Sequence, residues 1–314
     1  MRAVVLDQTG LHVADRPVPS PRPGEVRVRV LKAGLCETDL QLVRGYMGFQ
    51  GVLGHEFVGV AESGALSGQR VVGEINCACG RCDFCQRGLQ THCPHRSVLG
   101  ILNHDGAFAE YVCVPEQNLH LVPENVTNEQ AVFTEPLAAA FQIPEQVRLH
   151  SDQRVIVLGD GRLGNLCAQV ILQSGCRLTV VGKHDAKLSL LTGLGIDAAR
   201  LDEVDFRREA DIVVDCTGSP SGFDTALKLL KPRGTLVLKT TVAGTQTLSL
   251  APLVIDEITV VGSRCGPFTP ALAALRDQRI HVEPLVEATY ALADAVAAFE
   301  RATTRPTLKL LLEP

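Results

Sequence analysis

A continuous apolar run, Val155-Ile156-Val157-Leu158, leads straight into Gly159-Asp160-Gly161-Arg162-Leu163-Gly164, and this join constrains the fold more than any other stretch. Such a run suits a strand buried on both faces of a parallel sheet. After it, Leu163, Leu166, Cys167, Val170 and Ile171 fall at i, i+3, i+4, i+7 and i+8, the spacing of an amphipathic helix that Gly175 closes. Strand, G-x-G-x-x-G and helix in that order predict a dinucleotide-binding turn in a doubly wound α/β sheet. The glycines let the backbone approach a pyrophosphate, and the helix N-terminus offers N–H groups and the positive end of its dipole. Gly159, Gly161, Arg162, Leu163 and Gly164 are the expected cofactor contacts.

The next strand, Leu178-Thr179-Val180-Val181, runs into Gly182. An Asp or Glu there, about 20 residues beyond the glycines, would bond the ribose 2′-hydroxyl of NAD and repel a 2′-phosphate. With that acid missing and Lys183 next in line, the sequence favours NADP over NAD; the alternative is a Lys183 that points into solvent. Lys187 is a second candidate for the ribose or its phosphate. Further βα units follow, with strands near 212–215, 235–238 and 258–261 and a helix at 223–230. Cys216-Thr217-Gly218-Ser219 lies at the carboxyl end of its strand, where open α/β sheets take ligands. Thr217 joins the expected cofactor contacts, and Cys216 reads as a wall residue.

The first hundred residues have a different texture. Val26, Val28 and Val30 alternate with Arg27 and Arg29, the period of a half-buried strand, and 57–61 and 69–72 look like further short strands. This is an irregular β domain, and such domains carry function on their loops. Within it Cys79, Cys82, Cys85 and Cys93 have the spacing C-x2-C-x2-C-x7-C. Four thiols on short loops suit a closed tetrahedral zinc, stapling a lobe with too few apolar residues to fold by burial alone. A redox cluster or coincidence is the alternative. Cys77 lies outside the pattern; His92 and His95 flank it, but the thiol set is complete without them.

A second group of ligand-type residues runs from Cys36-Glu37-Thr38-Asp39 to Gly54-His55-Glu56. Cys and His are ligands zinc favours, and an oxygen ligand can complete an open site, so a catalytic metal is the working reading. A buried small Cys and a satisfied His are the plain alternative. Downstream, a helix expected from Asn128 presents Glu135 amid Ala131-Val132-Phe133 and Leu137-Ala138-Ala139-Ala140-Phe141. A carboxylate in such company calls for a metal or an Arg if it is buried.

Composition narrows the partners. A net charge of −5 with no basic run leaves no electrostatic footprint for nucleic acid or anionic membrane, so a small-molecule substrate is expected. No segment has the roughly 18–20 apolar residues of a membrane span, and residues 1–7 meet a charge too soon for a signal peptide. A cytoplasmic location follows as the expectation. There the eleven cysteines stay reduced, which favours metal ligation over a disulfide framework.

Taken together, these motifs resemble the zinc-dependent medium-chain dehydrogenases, the superfamily of alcohol, sorbitol and threonine dehydrogenases. The residues that carry the likeness are Cys36-Glu37-Thr38-Asp39, Gly54-His55-Glu56-Phe57-Val58-Gly59, the four-cysteine lobe, Asp105-Gly106-Ala107-Phe108-Ala109-Glu110-Tyr111, Glu135-Pro136-Leu137 and the glycine fingerprint. The resemblance implies a GroES-like irregular β domain, 1–136 with 266–314, joined to a Rossmann domain, 137–265, with the active site between them. It implies a catalytic zinc on Cys36, His55 and Glu135 and a structural zinc on Cys79, Cys82, Cys85 and Cys93, two zincs per chain. Thr38 would relay the substrate proton, Asp39 would be an acid behind the ligands, and Glu56 would lie beside the metal. The implied reaction is hydride transfer between NAD(P) and a small alcohol or polyol, in a homodimer or homotetramer. The rival readings are a zinc-free reductase of activated alkenes (a quinone or enoyl reductase) and a non-catalytic NADPH-binding or redox-sensing protein.

Overall fold

In the computed structural model, which describes residues 1–239 and 247–314, the run at 155–158 lies in an inner strand, Arg154–Leu158, of a six-stranded parallel sheet. The spatial order is 197–200, 177–182, 154–158, 210–215, 230–238, 259–262. In chain order that is 3-2-1-4-5-6, so the direction of winding reverses between the strands 154–158 and 210–215. Ile156 faces Thr179 on one neighbour and Val213 on the other. The run is apolar because the sheet is covered. Helix Arg162–Leu172 buries Leu166, Cys167, Ala168, Val170 and Ile171, and a cluster including Leu158, Val213, Phe223, Leu229 and Leu236 fills another part of the core. Each such Leu or Phe contributes roughly 1.5–3 kcal/mol on burial.

The chain separates into two compact units, Pro136–Pro267, which holds this sheet, and Met1–Glu135 with Phe268–Pro314. In the second of these, Glu25–Gly34 buries Val26, Val28 and Val30, as the alternation requires, and pairs with Glu56–Ala61 and Tyr111–Pro115. The closing strand, Lys309–Glu313, lies antiparallel to Glu25–Gly34, Leu311 opposite Gly34. It also runs parallel to Val286–Ala291. Residues from opposite ends of the chain therefore share one sheet.

Local departures from the sequence pattern have local causes. The helix expected from Asn128 is two helices, Asn128–Val132 and Thr134–Gln146, jointed at Phe133. Thr127 and Gln130 cap the first reciprocally: Gln130 N–H donates to Thr127 Oγ1 (3.2 Å) and Thr127 N–H to Gln130 Oε1 (2.8 Å). The strand Tyr111–Pro115 does not extend back to Phe108, because Ala107 and Phe108 spend their N–H groups on Gly54 and Leu53. Among the described residues no helix is long and apolar enough to cross a membrane.

Candidate active site and metal centres

Cys36 caps the short helix Glu37–Val43 from an extended backbone, and its N–H donates to Asp39 Oδ2 at 2.8 Å. The other oxygen of Asp39 lies 3.3 Å from Nδ1 of His55. Both side chains are buried, and neither of these two atoms makes a hydrogen bond of good geometry. His55 is aimed by its neighbours. Gly54 has φ +97°, and a Cβ there would lie 2.3 Å from the Phe108 ring. Gly106, Ala107 and Phe108 donate to the carbonyls of Val52, Gly54 and Leu53 at 2.7–2.8 Å, so the 105–111 motif braces the backbone that presents His55. One ligand atom from each of Cys36, His55 and Glu56 lies within 4.8 Å of the other two. Burial works against a charged imidazole, but the Asp39 carboxylate and the Cys36 thiol outweigh it and hold the His55 pKa well above its ordinary value. With Nδ1 turned to Asp39, Nε2 is the nitrogen left for a metal. Thr38 is half-buried, its hydroxyl 3.8 Å from the Cys36 thiol, which donates to it. Glu135 sits half-buried in the first turn of Thr134–Gln146 and is not one of the three gathered residues.

Glu56 has a partner that residue patterns did not reveal. Lys309, fully buried on the closing strand, forms an ion pair with its Oε2, and the ammonium also donates to Leu35 O at 3.4 Å. Gly34 makes the room: a Cβ there would lie 2.6 Å from Glu56 Oε2. The one available signal was a Lys set among Leu308, Leu310, Leu311 and Leu312. Removing one member of a buried pair leaves the other uncompensated, at about 3–5 kcal/mol. Lys309→Met is expected to lose that much in urea unfolding, and Glu56→Gln/Lys309→Met to recover most of it. Equal losses in the single and double variants would show that the charge pairing is not what matters.

The lobe thiols converge. Sγ separations are 4.0 Å for Cys79–Cys85, 3.5 Å for Cys82–Cys85, 3.7 Å for Cys82–Cys93 and 3.6 Å for Cys93–Cys79. Four sulfurs each about 2.3 Å from a tetrahedral zinc stand about 3.8 Å apart, so the set fits that ion. Backbone N–H groups of Arg81 and Cys82 lower the Cys79 thiol to about 6, toward the thiolate that zinc needs. Cys77, His92 and His95 lie outside the set; burial pushes the Cys77 thiol up to about 12.

The glycine turn is built to approach a ligand. Gly159 has φ +111° and packs where a Cβ would lie 2.7 Å from Cys216 O, at the reversal of the sheet. A Cβ on Gly164 would lie 1.9 Å from Gly159 O, whereas one on Gly161, the helix N-cap, would meet nothing within 4 Å. That open face, beside a helix N-terminus, fits a pyrophosphate. Arg162 and Leu163 follow, half-buried, in the first turn. Thr217 is exposed at the end of Ala210–Asp215, its N–H and hydroxyl donating to Asp215 Oδ1 at 2.9 and 2.7 Å. Lys183 is exposed after Gly182, and Lys187 is half-buried in the helix Asp185–Gly193. Asp160 occupies a variable position of the fingerprint, to which the sequence pattern assigns no role. Its Oδ2 accepts the N–H groups of Lys183 (2.6 Å) and His184 (2.7 Å). Burial would raise its pKa, but these bonds and His184 hold it below the usual carboxylate value.

Known proteins resemble this chain in sequence and in fold. Residues 22–124 match the family described as alcohol dehydrogenase GroES-like domain, and residues 163–277 the family described as zinc-binding dehydrogenase. The chain is 30% identical to a sorbitol dehydrogenase of Halalkalibacterium halodurans, over 100% of its own length and 99% of the relative's. Among solved structures it is similar to a short chain alcohol dehydrogenase (rspB) of Escherichia coli CFT073 complexed with NADH, at 26% identity and a TM-score of 0.91 over 100% and 99% of the two chains. A putative zinc-binding dehydrogenase of Sinorhizobium meliloti 1021 bound to NADP is similar at 25% identity and a TM-score of 0.90, again over 100% and 99%.

Proposed function

Because the chain belongs to the zinc-dependent medium-chain dehydrogenases and is an NAD(P)-linked oxidoreductase, we propose that it interconverts a small alcohol or polyol with its carbonyl product, at a catalytic zinc on Cys36, His55 and Glu135. The observation that carries this reading is that one ligand atom from each of Cys36, His55 and Glu56 lies within 4.8 Å of the other two; Glu135 enters from the family resemblance. Held there, zinc would supply Lewis acidity that lowers the pKa of a substrate hydroxyl by several units, and a nicotinamide cofactor would supply the hydride acceptor. Asp39 orients the imidazole through Nδ1, and Thr38 passes the substrate proton outward. Glu56, neutralised by Lys309, is the neighbour of the metal, and Glu135 its third protein ligand. Glu135→Gln is expected to lower zinc content by one ion per chain. If Glu56→Gln does so instead, the third place belongs to Glu56.

The four-thiol lobe holds the second zinc. A screen of alcohols, polyols and hydroxy amino acids with NAD and NADP, read by the absorbance of reduced nicotinamide, tests the reaction. No turnover in a chain that carries two zincs and binds cofactor would favour the non-catalytic alternative.

A homodimer or homotetramer is part of the same proposal. Thr259–Gly262 is an edge strand among the described residues, with Val260 39% exposed, and the nearby Val254 and Ile255 are both 77% exposed. Unpaired edges and clustered exposed apolar residues invite a partner. Light scattering is expected to give a multiple of 33.7 kDa, and Val254→Glu/Ile255→Glu to reduce it; a monomeric wild type would overturn the assembly.

A further inference from the structure

The end of the strand Arg177–Gly182 is where an acid would be expected to read the ribose, and residue 182 has no side chain. The space is nonetheless filled. A Cβ on Gly182 would lie 2.5 Å from both Cβ and Oδ2 of Asp160, so a carboxylate from the glycine turn occupies the volume a side chain at 182 would need. The Asp160 side chain is only 9% exposed and is held in place by the Lys183 and His184 N–H groups on Oδ2. His184 Nδ1 lies 3.1 Å from each of its oxygens.

We propose that the Asp160 carboxylate reads the adenosine ribose in place of the missing acid and selects NAD(H) over NADP(H), an inference that rests on the dinucleotide-binding reading of this unit. Three features carry it. A carboxylate oxygen accepts two bonds, so Oδ1, engaged by the His184 ring, keeps a lone pair for a ribose hydroxyl. Two backbone N–H groups that could cradle a 2′-phosphate are already taken by a built-in anion. A phosphate monoester, doubly charged and without a donor, would meet like charge there. The cation of Arg200 does not offset this, because Asp185 (3.0 Å) and Asp202 (2.9 Å) hold it. The NADP preference expected from Gly182 and Lys183 rests on residues local to that strand end, whereas the charge invoked here lies 22 positions upstream of Gly182.

Fluorescence titrations of the zinc-loaded protein with NADH and NADPH test the inference. Wild type is expected to bind NADH at least tenfold more tightly. Asp160→Ser, which removes the charge and frees both N–H groups, is expected to weaken NADH, strengthen NADPH and narrow the ratio at least tenfold. Asp160→Asn keeps an oxygen for the N–H groups and should move the ratio the same way by less; it carries the test if circular dichroism shows the Ser variant unfolded. A wild type that binds NADPH as tightly as NADH, or folded variants with the wild-type ratio, would overturn the proposal while leaving dinucleotide binding intact. Binding of neither nucleotide would overturn both readings.

Discussion

Cys36→Ser with His55→Ala is expected to take zinc content from two ions per chain to one and to lower kcat/KM by about three to four orders of magnitude. The magnitude follows from the Lewis acidity forfeited, several kcal/mol of transition-state stabilisation at 1.36 kcal/mol per tenfold. Both ligands lie in the unit Met1–Glu135 with Phe268–Pro314, whereas the glycine turn lies in Pro136–Pro267. NADH affinity should therefore change little. Metal analysis, steady-state kinetics and a nucleotide titration on the same preparation separate these effects. A variant that retains two zincs and full turnover would remove Cys36 and His55 from the catalytic site.

Cys82→Ser is expected to act on stability. The lobe has little apolar burial of its own: Phe84 is 40% and Leu89 38% exposed, and the closing ribbon pairs only Asn76 with Val98 and Cys77 with Ser97. A two-stranded ribbon of that length is marginal in water, so the order of 79–93 is expected to depend on the four thiols and the ion proposed for them. Structural zinc in small metal-dependent domains binds with an apparent ~10–16 kcal/mol, much of it folding free energy. Within a larger unit the loss is local, and ~3 kcal/mol would lower Tm by about 6–12 °C. Calorimetry should show this drop together with new proteolytic cleavage between residues 77 and 97. An unchanged Tm with zinc content reduced by one would assign the lobe's order to packing instead of metal.

Features written in short spacing could be read without a structure. The thiols Cys79, Cys82, Cys85 and Cys93 lie within 15 residues, and a chain that short cannot carry them far apart. The strand–glycine–helix join is equally local, since side-chain periodicity follows directly from backbone geometry. The joint at Phe133 is not legible in the sequence, because Ala, Val and Phe extend a helical pattern whether or not the helix continues. The helix at Glu37–Val43 is equally hidden, because seven residues are too few for a periodic signal.

The sequence by itself determined the two kinds of domain, the thiol lobe, the nucleotide turn and the candidacy of Cys36, His55 and Glu135. Tertiary structure alone decided which charges face one another. Lys309 meets Glu56 only because the last strand returns to the sheet of the first, and Asp160 reaches the space above Gly182 only because parallel strands place two loop ends side by side. The physical reason is the same in both cases. Backbone propensity is a property of neighbours in the chain, whereas the partner of a buried charge is chosen by strand register between segments 22 and 253 residues apart.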